Sequence, residues 1–296
     1  MTTLNPALSA AQSAWKTPVD VSKIDWSKFD EELDRPFAVT PQQIQSFKKQ
    51  GFIKLKNIFT PELISAYGDE ISNQVLKLNH EDRPMEQRGT YGKAFLQIMN
   101  LWTHSQIVKR FSFSKRLAKL AADLMQVKGV RMYHDQALYK EPGGGITPWH
   151  ADQFYWPIDT NNTVTAWIPL QATPAELGPL AFSATSHSVR VGRDIEISDD
   201  SEVKISKALL ETGLPLVEEP FDIGEVSFHL GWTFHRAGPN QSDRPRKVMT
   251  IIYLEDGAKI IQPQYKAHES DLKTWLPGQK PGDLVGSPLN PVLYHQ

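Results

Sequence analysis

The chain has 296 residues, a formal net charge of −2 and no cysteine. That length fits one large β domain or two small ones. The missing cysteine excludes a disulfide framework and any thiolate metal site. The near-neutral charge argues against nucleic acid held by bulk electrostatics. No run reaches the ~18 apolar residues of a membrane span, and no basic, then apolar, secretory leader opens the chain. These features suit a protein of the reducing cytoplasm with no membrane and no nucleic-acid partner.

Residues 1–38 are polar with interspersed aromatics (Trp26, Phe29) and read as an extension packed on the surface of a following domain. Thr40-Pro41 opens a helix, because Thr caps well and Pro suits the first turn; Gly51 closes it. Phe52–Lys56 reads as a strand. Thr60-Pro61 repeats the helix-start signal, and Leu63, Ile64, Tyr67, Ile71 and Val75 form an apolar stripe behind it. One further helix is expected from Ser105 to Val127. Beyond Val130 the pattern changes to short β-rich runs separated by Gly, Pro, Asp and Asn: 131–139, 164–171, 180–182, 225–229, 233–236 and 247–255. Many short strands with turn signals predict a sandwich or barrel, here a jelly roll buttressed by helices. Residues 191–214 are charged and helix-like and read as an insertion, with a single domain spanning 39–296. The Pro- and Gly-rich tail from Gly257 is expected to wrap the surface.

The chemistry concentrates in Trp149-His150-Ala151-Asp152-Gln153-Phe154-Tyr155-Trp156. In an extended segment residues i and i+2 share a face, so His150 and Asp152 can grip one metal ion. His235 is the best candidate for a third ligand. Two His and one carboxylate on one face leave the opposite face open, the arrangement of non-haem Fe(II) oxygenases. Zinc could occupy the same ligands as a hydrolase centre. His229 competes with His235 and otherwise reads as a core histidine or one that supports the ligands; His134 and His187 read the same way. Glu141-Pro142-Gly143-Gly144-Gly145 can bring a mobile backbone near the site. Gln153, Tyr155 and Trp156 follow the ligands and are candidate substrate-side wall.

The ensemble resembles the phytanoyl-CoA dioxygenase family of Fe(II)/2-oxoglutarate-dependent oxygenases. The resemblance rests on the His-x-Asp with its Tyr-Trp-Pro, the strand Thr163–Leu170, Leu177-Gly178-Pro179-Leu180 leading to Ser186-His187, His235 with Gly238-Pro239-Asn240, Arg246, and Ser287-Pro288-Leu289-Asn290-Pro291. It runs over roughly residues 38 to 294 and implies a cupin-like double-stranded β-helix. It selects His235 over His229, because the family's distal His precedes a Gly-Pro-Asn-like turn. It further implies Fe(II) on His150, Asp152 and His235, 2-oxoglutarate and O2 as co-substrates, and hydroxylation of a small-molecule substrate with release of succinate and CO2. Desaturation, epoxidation, ring formation, or loss of catalysis in a binding protein of the same fold are the alternatives. Asp152 stands where related halogenases carry a small residue, so halogenation is not expected. Arg246 is implied as the anchor of the distal 2-oxoglutarate carboxylate, a task its planar fork suits, with Arg244 the competitor. Trp167, Gln97 and Gln136 are carried over as co-substrate neighbours. One departure stands out: Ala237 occupies a place where the family often has a hydroxyl, and Tyr139 or Thr250 are candidates to replace it.

Overall fold

The computed structural model describes residues 15–296. In chain order it contains α1 (Asp30–Asp34), α2 (Pro41–Gln50), β1 (Phe52–Leu55), α3 (Pro61–Leu78), α4 (Thr90–Ala94), β2 (Leu96–Met99), α5 (Gln106–Ser112), α6 (Lys115–Met125), β3 (Gly129–Lys140), β4 (Thr147–His150), β5 (Thr163–Pro169), β6 (Leu180–Ser183), α7 (Asp199–Thr212), β7 (Leu216–Glu218), β8 (Val226–Leu230), β9 (His235–Ala237), β10 (Arg246–Glu255), α8 (Lys266–Trp275) and β11 (Val292–His295).

Two antiparallel sheets face each other as a jelly roll. The larger runs β1-β8-β5-β10-β3-β11, with β2 also paired to β3; the smaller runs β4-β9-β6-β7. The outer face of the large sheet carries the main core. Along β10 the residues Met249, Ile251 and Tyr253 join β3, β5 and β8 residues and the apolar faces of α3, α5 and α6 there. Their neighbours Arg246, Thr250 and Ile252 line a cavity on the other face, between the sheets. The period of two in β10 therefore separates scaffold from site.

The helix starts follow the capping chemistry. Thr40 and Gln43 form a reciprocal capping box at α2, and Thr60 caps α3. Three expectations need correction. The helix expected over 105–127 is two helices, since Ser105 and Ser114 each accept a hydrogen bond at a separate N-terminus. The extension does more than lie on the surface. Phe29 and Leu33 are buried in the core, and Leu33 O accepts a hydrogen bond from Ser114 Oγ at 2.8 Å. The tail from Gly257 is not mere wrapping. It contains α8, and β11 pairs with the start of β3.

The segment 191–214 includes α7, which is held to the small sheet. Glu202 Oε2 accepts from Trp149 N at 2.9 Å, and Oε1 pairs with Arg236 at 2.6 Å. Ile205 and Leu209 are buried among Trp149, Ala151 and Phe234. Apart from Glu202, the charged residues of α7 face out while this apolar stripe packs in. No helix among the described residues is long and apolar enough to cross a membrane.

Candidate active site

β4 ends at His150, Ala151 stays extended (φ −125°, ψ 128°), and Asp152 opens a short 3-10 turn. The extended Ala151 keeps His150 and Asp152 on one face. β4 pairs with β9 so that His150 lies directly opposite His235, with ring centroids 4.2 Å apart. Asp152 Oδ1 is 3.6 Å from Nε2 of each histidine. The three ligand atoms lie within 4.8 Å of one another.

The surroundings set these groups up for a metal. His150 Nδ1 donates to Pro148 O at 2.8 Å and His235 Nδ1 to Thr233 O at 3.0 Å. A carbonyl only accepts, so both Nδ1 atoms carry the proton and both Nε2 lone pairs point at Asp152 Oδ1. Burial lowers each imidazole to about 4, so both are neutral near pH 7, the form that ligates. Burial also pushes the Asp152 carboxyl up, but His235, His229 and His150 outweigh it and hold the group well below the usual carboxylate range. The second oxygen, Oδ2, accepts from Thr165 Oγ1 at 2.7 Å and His229 Nε2 at 3.2 Å. Thr165 and His229 are cross-strand partners on β5 and β8. His229 therefore braces the carboxylate from behind. Two neutral imidazoles and an oriented carboxylate suit a divalent first-row metal such as iron.

The triad opens onto a cavity of about 440 Å³. Gln136 and Thr250 are opposed across β3 and β10, and Trp167 lies opposite Thr250 from β5. Gln97 donates to Gln136, and Tyr91 Oη donates to Gln97 Oε1 at 2.8 Å. Trp167, Gln97, Gln136, Tyr155 and Trp156 all line this space. Two anticipated residues do not. Tyr139 follows the opposite phase of β3, faces the core, and meets Ser72 Oγ with its hydroxyl at 2.9 Å. Gln153 is turned away, its amide tied to the Thr163 hydroxyl and Thr160 O. Arg244 is exposed and precedes β10. His187 lies elsewhere, bonded to Lys48 O at 3.0 Å, whereas His134 is buried on the cavity wall.

At one end of the cavity Arg246 is 1 % exposed, its guanidinium 5.7 Å from the Trp167 ring. One Nη donates to Gly178 O at 2.7 Å, and Nε has no partner. Gly178 has φ +68°, and a Cβ there would sit 2.4 Å from Gly238 O; the Leu-Gly-Pro motif is thus a close crossing that aims a carbonyl at Arg246. Burial alone lowers Arg246 to about 10, so it stays charged. Directly opposite on β3, Lys140 is fully buried, bonded to Gly145 O and, at 3.3 Å, to Thr147 Oγ1. Burial and the Arg246 charge depress it to about 6. Neither cation has a carboxylate partner among the described residues. Thr147 reaches the cavity as the cross-strand partner of Ala237.

Sequence reasoning missed the far wall. α4 places Tyr91 at the mouth, and α8 contributes Ser270, Asp271, Thr274 and Trp275. His268, Leu272 and Trp275 recur at i, i+4 and i+7, a helical signal readable in the tail.

A jelly roll with a two-His, one-carboxylate face and a buried unpaired arginine defines a non-haem iron oxygenase of the 2-oxoglutarate-using class. The sequence profile of the phytanoyl-CoA dioxygenase (PhyH) family matches residues 47–248, more than half of the chain, and the chain belongs to that family. It is similar to a probable alpha-ketoglutarate-dependent hypophosphite dioxygenase of Stutzerimonas stutzeri, 22 % identical over 224 residues, covering 72 % of this chain and 77 % of that protein. It is also similar to an ectoine dioxygenase of Bordetella parapertussis, 24 % identical over 250 residues and covering 77 % and 79 %. Among solved structures it resembles the epimerase SnoN in complex with Fe3+, alpha ketoglutarate and nogalamycin RO. That match has a TM-score of 0.69 and 22 % identity, covering 86 % of this chain and 98 % of that one. The chain is an Fe(II)- and 2-oxoglutarate-dependent dioxygenase, with O2 as the oxidant.

Proposed function

We propose that this dioxygenase hydroxylates an unactivated C–H bond of a small-molecule metabolite, with succinate and CO2 as co-products. The observation that carries this reading is the cavity itself: the metal-binding triad, a buried, unpaired arginine and a set of aromatic rings line one space. A hydrolase would need no such cation. A buried guanidinium without a counter-charge is costly unless a bound anion completes it.

In this reading His150, Asp152 and His235 hold the iron. Bound there, Fe(II) supplies the redox chemistry that couples 2-oxoglutarate decarboxylation to oxidation of the substrate by O2. Arg246 would hold the distal carboxylate of 2-oxoglutarate, and its hydrogen bond to Gly178 O orients the guanidinium. Thr147 stands across from Ala237 and offers the hydroxyl that residue 237 lacks. Thr250 sits farther along β10, its hydroxyl toward Gln136 O at 3.5 Å. Trp167 walls the co-substrate, and Gln97 and Gln136 present amides beside it. Tyr155 and Trp156 bound the substrate space and exclude water, while Thr165 and His229 keep Asp152 aimed. Residues 39–296 form the catalytic unit in this account, 191–214 is an insertion upon it, and the cysteine-free chain works in the cytoplasm.

The test is succinate formation by purified protein given Fe(II), 2-oxoglutarate and O2, followed by mass-spectrometric search of a metabolite extract for a product heavier by one oxygen. Succinate that appears without added Fe(II) and survives a chelator would overturn the proposal.

A further inference from the structure

The proposed reading leaves the far wall of the cavity without a task. α8 presents Asp271, Thr274 and Trp275 on one face, three and four residues apart, and all three line the cavity. Asp271 Oδ2 accepts a hydrogen bond from Tyr133 Oη at 3.0 Å. No cation acts on it among the described residues. Arg246 lines the same cavity six residues along β10 from Ile252, the cross-strand partner of His134.

The histidine that packs on Trp275 does not supply the charge. His134 packs against Trp275 (5.3 Å) and Tyr133 (5.2 Å), and burial lowers it to about 4, so it is neutral. Its Nδ1 is buried without a hydrogen-bond partner although the residue faces the cavity. The rings of Trp275, Trp156, Tyr155 and Tyr91 line the same cavity, with Trp156 5.5 Å from the Tyr133 ring. Burial alone pushes the Asp271 carboxyl up to about 7, against the help of Tyr133 and Trp275, which marks a carboxylate lacking its counter-charge.

A half-buried carboxylate among aromatic faces selects a cation on two independent grounds: charge pairing, and attraction of the cation by the ring quadrupoles. We propose that Asp271 and Trp275, with Trp156 and Tyr155, form a cation subsite, and that the substrate is a small amine bound as its ammonium. This rests on the reading of the cavity as an Fe(II)/2-oxoglutarate site and names its substrate class. The two ends of the cavity then carry opposite signs. Arg246 draws the dicarboxylate and repels the ammonium; Asp271 does the reverse, so each molecule is sorted to its own side of the triad.

The test uses the holo-protein with Fe(II), under argon. 2-Oxoglutarate is titrated first by calorimetry, then three probes that share one ring and differ in charge: cyclohexylammonium, cyclohexanol and cyclohexanecarboxylate. The ammonium is expected to bind at least about ten-fold more tightly than the alcohol, with the carboxylate weakest. Asp271→Asn should bring the ammonium to the level of the alcohol, and Asp271→Glu should keep much of the preference. The exposed Asp200→Asn on α7 should change nothing. The wild-type comparison stands even where a variant loses α8. Equal binding of ammonium and alcohol, no detectable ammonium binding, or a preference that survives in a folded Asp271→Asn protein would overturn the subsite. If 2-oxoglutarate itself does not bind, the reading of the whole cavity falls; if it binds and the charge preference is absent, only the amine substrate falls.

Discussion

Removing Arg246 separates its role as an anion anchor from that of a structural cation. In the free protein the guanidinium is 1 % exposed, gives one hydrogen bond to Gly178 O, and meets no carboxylate among the described residues. Arg246→Met therefore removes an uncompensated buried charge and keeps much of the volume beside Trp167. The free protein should lose little stability, since apolar replacement of buried charge is often neutral. With 2-oxoglutarate the sign reverses, because the distal carboxylate would then be buried without its partner. Breaking a buried charge pair costs about 3–5 kcal/mol. At about 1.4 kcal/mol per ten-fold, that is a rise in Kd of roughly 10²–10³. Anaerobic calorimetry with the metal held constant measures it, and melting with and without 2-oxoglutarate should show the ligand-induced rise in Tm disappear. Arg244→Ala, exposed and outside β10, should leave Kd unchanged. A change below about five-fold for Arg246→Met, or an equal effect from Arg244→Ala, would refute the assignment of the anchor.

Lys140 gives a pH prediction. Its folded value of about 6 lies below the ordinary 10.5, so near pH 8 it is neutral in the free protein and charged in the unfolded chain. Stability from this group accordingly rises with pH between those values. An anion beside Lys140 raises its pKa, so 2-oxoglutarate binding should take up a proton near pH 8 and weaken as pH rises; binding heats that do not vary with buffer ionisation enthalpy would contradict this. Thr165→Val removes one hydrogen bond to Asp152 Oδ2 and should lower Fe(II) affinity by about 10–100-fold without abolishing it; unchanged affinity in a metal titration would count against the bracing role. Glu202→Ala should free α7 from Trp149 and Arg236 and increase succinate formed without substrate oxidation. In hydrogen exchange, residues 199–212 should already be protected in the free enzyme, whereas 195–198, where Ile197 N meets Tyr155 Oη at 3.1 Å, should gain protection with substrate. Rapid exchange throughout α7 would contradict its docking on the small sheet.

The triad was legible because its signal is local: an extended residue between His150 and Asp152 fixes their common face, and a second short motif brings His235. The jelly roll was legible because its strands are short and punctuated. Tyr139 went astray for a reason the strand rule itself supplies. His134, Gln136 and Leu138 line the cavity from alternate positions of β3, so Tyr139 must point to the core. Gln153 was lost because the chain leaves β4 into a 3-10 turn that rotates it toward Thr160 and Thr163. The role of His229 required the pairing of β5 with β8, which no spacing reveals. α8 escaped notice because Pro and Gly crowd both its flanks and its N-cap, Tyr265, carries no capping side chain. Lys140 looked like any strand-end lysine; only its burial opposite Arg246 distinguishes it.

The most direct test of the central claim is Fe(II) binding by four alanine variants, measured anaerobically by calorimetry with metal analysis of the complex. His150→Ala, Asp152→Ala and His235→Ala should each lose the one tight iron per chain, and His229→Ala should keep it at reduced affinity. Tight binding that persists in His235→Ala and vanishes in His229→Ala would contradict the assigned metal centre.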